Sequence, residues 1–416
     1  MKITIKTSKL VKPAYAGNGD PPAATDVVPL TVFDKKGLAG ALAVYRQWAG
    51  RLGVDAACGG PAILLNDAGS RLVEAAADVA LSSILPPDPA TPDILRSLHP
   101  SGDNGAGELM LLQVTRFACG SFAVGVTAQH LVSDGRAARR FMVAWGNASR
   151  GAAIGPVTTR RASVFVPRNP PLVEFQHRGV EFKKPRGAGE TTTGGGAQRF
   201  SCSGDEVRWS PEGCSSAGRC SPSSNPWRRR GRHVPTARSS ASWRTYGITA
   251  LHLAVDGRSR MRDPPVPEGY SGNAVLWAWP AAAAGELAAM PLRRVVELVG
   301  REVSRIDDGY FRSFVDFASS GAVEEEGLVP AADAAETVLC PDVEVYSLLG
   351  MPVYELDFGG GRPFDYMPSY SPVEGLVFVV PSSSCGSVVA YVSLFRRAME
   401  IFEKMCYSLP IVEARL

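Results

Sequence analysis

Phe122-Ala123-Val124-Gly125-Val126-Thr127-Ala128-Gln129-His130-Leu131-Val132-Ser133-Asp134-Gly135-Arg136-Ala137-Ala138-Arg139-Arg140-Phe141-Met142-Val143-Ala144-Trp145 holds a strand, a loop and a helix in immediate succession. Phe122–Thr127 is a β-branched, apolar run that ends at Gln129-His130. From Asp134 onward the apolar residues recur at helical spacing. His130 therefore lies where a buried strand gives way to a helix start, and loops at strand ends are where chemistry is presented. An imidazole titrates near neutrality, so it can take a proton from a hydroxyl or amine and return it later. An aspartate four residues on, at a tight turn, can hold the loop through backbone groups or an arginine. The pattern is short, and a satisfied, half-buried histidine competes with the catalytic reading.

Working outward, residues 2–10 alternate as a half-buried strand, Thr25–Val32 is a second apolar stretch, and Leu38–Leu52 reads as an amphipathic helix. Ala62–Leu65 and Leu109–Phe117 read as strands. Residues 156–200, rich in proline and glycine and carrying Thr191-Thr192-Thr193-Gly194-Gly195-Gly196, suit a crossover between domains. Beyond it, Leu251–Asp256, Ala274–Trp279, Glu344–Leu348, Val353–Phe358, Gly375–Pro381 and Val388–Leu394 read as strands, with helices over Glu286–Ile306 and Ala398–Met405. Strands and helices interleave on both sides of the crossover, which predicts a two-domain α/β protein.

The chain has 416 residues, 45% of them hydrophobic and 20% charged, enough for a large core without staples. Its 44 basic and 41 acidic residues leave a net charge of +3, too balanced for a dedicated nucleic-acid binder. Eight cysteines without a CxxC pair exclude a disulfide scaffold or zinc module, and His99, His177, His233 and His252 stand apart in sequence, so no metal site is expected. With no signal-like start and no run of 18 apolar residues, the expectation is a cytoplasmic protein without a membrane partner.

Two further motifs are candidates for chemistry. Asp357-Phe358-Gly359-Gly360-Gly361-Arg362-Pro363 allows close backbone approach or positive φ, against a phosphate-bearing group or merely in a surface turn. It is no dinucleotide fingerprint, since the βαβ unit and the later acidic residue are missing. Asp256-Gly257-Arg258-Ser259-Arg260-Met261, followed by Gly269-Tyr270-Ser271-Gly272-Asn273, supplies an arginine for a distant carboxylate.

Taken in order, HxxxD, Gly-Tyr-x-Gly-Asn and the glycine motif resemble the plant BAHD acyl-CoA-dependent acyltransferases. Tyr45–Leu52 and Tyr310–Phe317 match as well, and the resemblance covers residues 1–34, 38–200 and 248–416. Gly360 replaces the tryptophan of the commoner DFGWG, a variant similar to the monocot branch that makes hydroxycinnamoyl amides of agmatine, tryptamine or tyramine. The resemblance implies two chloramphenicol-acetyltransferase-like domains with mixed sheets and an interdomain channel: an N-terminal domain over 1–165, a crossover over 166–200 and a C-terminal domain over 248–416. It implies His130 as general base, with Asp134 turned away to brace the loop and Gly135 at its turn. Asp357, Gly359, Gly361 and Arg258 (or Arg260) would support the site, Asp357 pairing with the arginine. Acyl-CoA would be a co-substrate rather than a bound cofactor, the acceptor an amine or, in an ester-forming member, a hydroxyl, and the protein a monomer. A cationic acceptor needs a carboxylate, for which Asp365 is a candidate.

The sequence departs from the family twice. A segment of about two dozen residues is missing where Asp34-Lys35-Lys36 runs straight into Gly37-Leu38. Residues 201–247, which hold Cys202, Cys214 and Cys220 and the cluster Arg228–Arg232, keep neither strand nor helix period. The arginine cluster lacks interleaved aromatics and is no nucleic-acid site. Synonymous codons can be chosen for Val234–Gly247 such that an adjacent frame spells Pro-Tyr-Ser-Thr-Leu-Gln-Cys-Val-Val-Ala-His-Leu-Trp, an apolar helix of the kind the family has there. Residues 228–247, at least, thus read as translated out of frame. Each large apolar side chain lost from such a helix forgoes about 1.5–3 kcal/mol of burial, against a domain stability of about 5–15 kcal/mol. An inactive frameshifted paralogue is the contrasting expectation.

Overall fold

In the computed structural model, residues 1–14, 35–56, 59–85, 92–100, 107–185, 207–214, 247–331, 339–368, 373–382 and 388–406 are described. Thr25–Val32, the end of the crossover and residues 201–206 and 215–246 of the irregular segment lie outside them. In the first half come β1 (Ile3–Val11), α1 (Lys35–Val44), β2 (Arg51–Val54), β3 (Pro61–Leu64), β4 (Ser70–Ala77), α2 (Pro92–Ser97), β5 (Met110–Arg116), β6 (Phe122–Ala128) and α3 (Gly135–Ser149). There follow β7 (Phe182–Lys183), β8 (Val207–Cys214), β9 (Ile248–Asp256), β10 (Val275–Ala278), β11 (Ala281–Ala283), α4 (Ala284–Ala289), α5 (Leu292–Arg305), α6 (Asp308–Ser319), α7 (Ala322–Glu325), β12 (Val329–Pro330), β13 (Val343–Ser347), β14 (Leu376–Pro381), β15 (Val388–Phe395) and α8 (Arg396–Met405).

The first sheet runs β1-β4-β5-β6, with β4 and β5 parallel and the outer pairings antiparallel. β5 is buried along all but its last residue, which is why its sequence is nearly continuous in apolar residues. α1 and α3 pack together on this sheet, with Leu38, Leu42, Trp48, Leu112, Phe141 and Trp145 forming its core. The second sheet runs β10-β9-β13-β14-β15-β8, with β11 also paired to β9. β13 is parallel to both β9 and β14, and the rest is antiparallel. Both sheets are mixed, and the fold is the two-domain α/β arrangement expected. A third cluster joins the halves: Ala77, Ile84, Leu98 and Phe117 of the first pack with Leu348, Val380 and Tyr391 of the second.

Several elements differ from expectation for local reasons. The helix over 38–52 ends at Val44, and the chain passes through a 3₁₀ turn at Arg46–Ala49 into β2. At that corner a Cβ on Gly50 would meet the Leu64 carbonyl at 2.5 Å, so β3 approaches too closely for the helix to continue. Glu286–Ile306 is two helices, broken at Pro291, which cannot donate within a helix. Val353–Phe358 is not a strand; it lies against α3, where Phe358 meets Trp145 edge-on at 4.8 Å. β4, rich in alanine, gives no strand signal and is made one by its neighbours on either side. Within the irregular segment, Val207–Cys214 pairs along β15 as an edge strand, since ladder bonds use backbone groups whatever the side chains.

Candidate active site

β6 delivers the chain to His130 and α3 receives it four residues later. Asp134 is the N-cap of α3: its Oδ1 accepts the Ala137 amide at 2.9 Å, satisfying one of the orphan donors of the first turn. Its Oδ2 accepts the Ala274 amide at 2.9 Å and Arg258 Nη1 at 2.7 Å. The carboxylate is thus fully occupied with structure and buried, while the His130 side chain is exposed. Asn273 Nδ2 donates to the His130 and Leu131 carbonyls at 2.9 and 3.2 Å, so the second half clamps the histidine loop from outside.

Arg258 is the hub of that clamp. Besides Asp134 it donates to Asp256 Oδ1 at 3.1 Å and to the carbonyls of Tyr270 and Gly272 at 3.0 Å each. Asp256 in turn meets Arg136 of α3 at 2.6 Å. The motif around residue 258 and Gly269–Asn273 are therefore brought together with HxxxD at one end of α3.

The glycine motif sits at the other end. Asp357 Oδ1 accepts the amides of Gly359 and Gly361 at 2.7 and 3.0 Å, and Oδ2 lies 3.3 Å from Arg150 at the C-cap of α3. The Gly359 amide above all, then that of Gly361 and the nearby arginines, hold its carboxyl below the ordinary range. This corrects the expected pairing of Asp357 with Arg258 or Arg260. Arg258 is spent on Asp134 at the N-terminus of the helix, while Asp357 lies at its C-terminus, about 22 Å away for fifteen residues. α3 carries both motifs, one at each end. Gly359 and Gly361 both have φ of 99°, and a Cβ on Gly146 would meet the Asp357 carbonyl at 2.6 Å, so the motif lies directly on the helix backbone.

Side chains that spacing did not single out lie near His130. Glu344 and Tyr346 share one face of β13, and His252 of β9 lies opposite Glu344 in register. Tyr346 stacks on Phe378 at 5.4 Å, and Phe378 packs on the cluster between the halves, so this face looks toward the first half. The Tyr346 hydroxyl donates to Glu344, and His252 Nδ1 lies 3.9 Å from its Oε2. Burial alone would raise the Glu344 carboxyl; His252, Tyr346 and the charge of nearby His130 outweigh it and hold it below the ordinary range. Asp365 stands open to solvent, yet the surrounding protein wall pushes its carboxyl up, and its Oδ1 accepts the Tyr366 amide at 2.8 Å. In sequence, Glu344 shows only as a polar residue alternating within a strand, and its tie to His130 and His252 is purely tertiary.

The fold and this arrangement define a two-domain α/β protein built around an exposed histidine between its halves. The model of the Transferase family matches residues 27–194 and 226–409, and the chain belongs to that family, the BAHD acyltransferases. Agmatine coumaroyltransferase-1 of Hordeum vulgare is 52% identical over 449 aligned positions, which cover 98% of this chain and 100% of that protein. The aligned positions exceed the 416 residues here, so that protein has residues without a counterpart in this chain. Tryptamine hydroxycinnamoyltransferase 2 of Oryza sativa subsp. japonica is 36% identical over 389 positions, covering 90% of this chain and 86% of that protein. Among solved structures, vinorine synthase superposes with a TM-score of 0.64 at 16% identity, covering 96% of both chains, a likeness of fold.

Proposed function

We propose that this chain transfers a hydroxycinnamoyl group from its coenzyme A thioester to an amine, with His130 as general base. The observation that carries the reading is the exposed His130 side chain on a loop that both halves hold rigid. It is supported by the agmatine and tryptamine transferases among its relatives. A primary amine, with a pKa of about 10, is mostly ammonium at neutral pH, so its lone pair needs a base. The amine nitrogen attacks the thioester carbonyl and His130 Nε2 or Nδ1 takes its proton. The tetrahedral intermediate collapses, the C–S bond breaks, and the thiolate leaves with the proton returned from His130. Asp134 does no chemistry; it fixes the loop. Asp357 shapes the glycine turn on α3. We take the protein to act as a cytoplasmic monomer.

Glu344 is the carboxylate we assign to the far, cationic end of an acceptor such as agmatine. It lies within electrostatic reach of His130. The test is incubation of the purified chain with coumaroyl-CoA and, separately, agmatine, tryptamine, tyramine and a simple alcohol. Amide product with an amine supports the reading. Ester with the alcohol alone would shift it to the hydroxyl-acylating alternative, and no product with any acceptor would make the chain an inactive paralogue.

A further inference from the structure

The imidazole of His252 is used by nothing in the mechanism, yet it sits beside Glu344. Its Nε2 lies 3.7 Å from Asp342 Oδ2 and its Nδ1 3.9 Å from Glu344 Oε2, both at ion-pair rather than hydrogen-bond range. Nε2 is buried and makes no hydrogen bond. The ring lies against Trp279, with centroids 3.9 Å apart. Within β9 its face neighbours are alanines; the turn before β13 supplies Asp342, and β13 supplies Glu344 and, through Glu344, the Tyr346 hydroxyl; the loop before α3 supplies His130; β10 leads to the uncharged Trp277 and Trp279.

Resting on the reading of Glu344 as the acceptor carboxylate, we propose that His252 is a specificity-determining residue that contests Glu344 with the acceptor's distal cation. The physical basis is competition for one charge. A protonated imidazole so close to two carboxylates neutralises them in place, as a guanidinium or second ammonium would on arrival. A cation can bind Glu344 fully only when His252 gives up its proton. An aromatic acceptor has no second charge to place; it meets Trp277, Trp279 and Tyr346, whose surfaces do not change with His252. Tyr346 strengthens the contrast, because its hydroxyl already occupies part of the Glu344 carboxylate. The chain therefore prefers arylethylamines to dicationic amines while His252 is protonated, and the preference relaxes once that imidazole is neutral. Protonation of His130 also bears on Glu344, so the comparison is made against His252→Gln, which keeps His130.

The experiment is an NMR titration of the His252 imidazole, identified by His252→Gln, with and without agmatine and with tryptamine as the control amine. By linkage, agmatine moves the His252 midpoint to lower pH, tryptamine moves it little, and Glu344→Gln abolishes the agmatine effect. In steady state, the rise in kcat/KM for agmatine relative to tryptamine from pH 6 to pH 8 is about fivefold or more greater in the wild type than in His252→Gln, which keeps His130. An unmoved His252 in a chain that acylates agmatine overturns the inference alone. A moved His252 in a chain that acylates nothing upholds the inference and overturns the activity. If agmatine is neither bound nor acylated, both fall.

Discussion

Asp134 Oδ2 accepts a 2.7 Å hydrogen bond from Arg258 Nη1, joining the N-cap of the helix after the histidine loop to the opposite half of the protein. Their side chains are 3% and 8% exposed, so each charge is buried on the strength of the other. Asp134→Ala leaves Arg258 beside a hole and takes the acceptor from two backbone amides. It should cost about 3–5 kcal/mol, read from urea unfolding. Asp134→Asn is no gentle change either, since its NH₂ would face donors from Arg258 and Ala274. Loss near zero for both variants would mean the junction does not hold the loop.

His130→Ala should behave oppositely. The side chain is exposed, so the melting temperature should stay that of the wild type. The single-turnover rate of acyl transfer should drop by about 10²–10⁴-fold. A rate within a few-fold of wild type would remove His130 from the chemistry.

The glycine motif separates two kinds of glycine. A Cβ on Gly360 meets nothing within 4 Å, so Gly360→Trp, the residue of the commoner motif, should leave thermal stability almost unchanged. Gly361 has φ of 99°, where an L side chain is strained, and Gly361→Ala should cost about 1–3 kcal/mol. Paired thermal melts of the two variants decide this, and equal losses would contradict the conformational argument.

The legible part of this protein was the part whose signal is local. The strand–His130–Asp134–helix run reads directly because β6 is apolar, Asp134 is a good cap and α3 has a clear apolar face. Family order then pointed to Arg258 and Asp357, but not to their partners. Which carboxylate an arginine meets is decided by the length of α3, which places Asp134 and Asp357 at opposite ends. β4 carries no strand signal because alanines say little about strands, and the edge strand β8 carries none because backbone pairing leaves no mark on composition. Glu344 and His252 look like ordinary strand residues until β9 and β13 are laid side by side.

Acid should weaken the second half through Asp316. Its side chain is 1% exposed, and burial alone would raise its carboxyl. Backbone amides of Leu172 and Arg168 at 2.9 and 2.7 Å, with the Arg168 guanidinium at 2.6 Å, outweigh burial and hold it below the ordinary range. Because the folded value is the lower one, this stabilisation is complete above about pH 4 and is lost as pH falls through the folded value. Urea midpoints of the wild type and Asp316→Asn should therefore differ at pH 7 and converge as the solution is acidified below about pH 4. A constant gap across that window would show that the carboxylate's charge is irrelevant.

The last prediction concerns the reading frame. α5 is strongly amphipathic, yet none of its residues is buried, and Leu292 and Val296 are 53% and 62% exposed. On α8 only Met399 is buried, while Ile401 and Met405 are more than half exposed. Apolar stripes on helices normally form against a partner, and residues 228–247 as translated are arginine- and serine-rich. In the adjacent frame the same codons can spell an apolar helix. Each large side chain it buried would contribute about 1.5–3 kcal/mol. A chain carrying that frame over 228–247 should melt at higher temperature, resist proteolysis between 201 and 247, and turn over faster than the present one. Sequencing the transcript across codons 30–40 and 200–250 tells which chain the cell makes. If the transcript encodes the present chain and the frame-restored version is no more stable, the out-of-frame reading is wrong and α5 is meant to be bare.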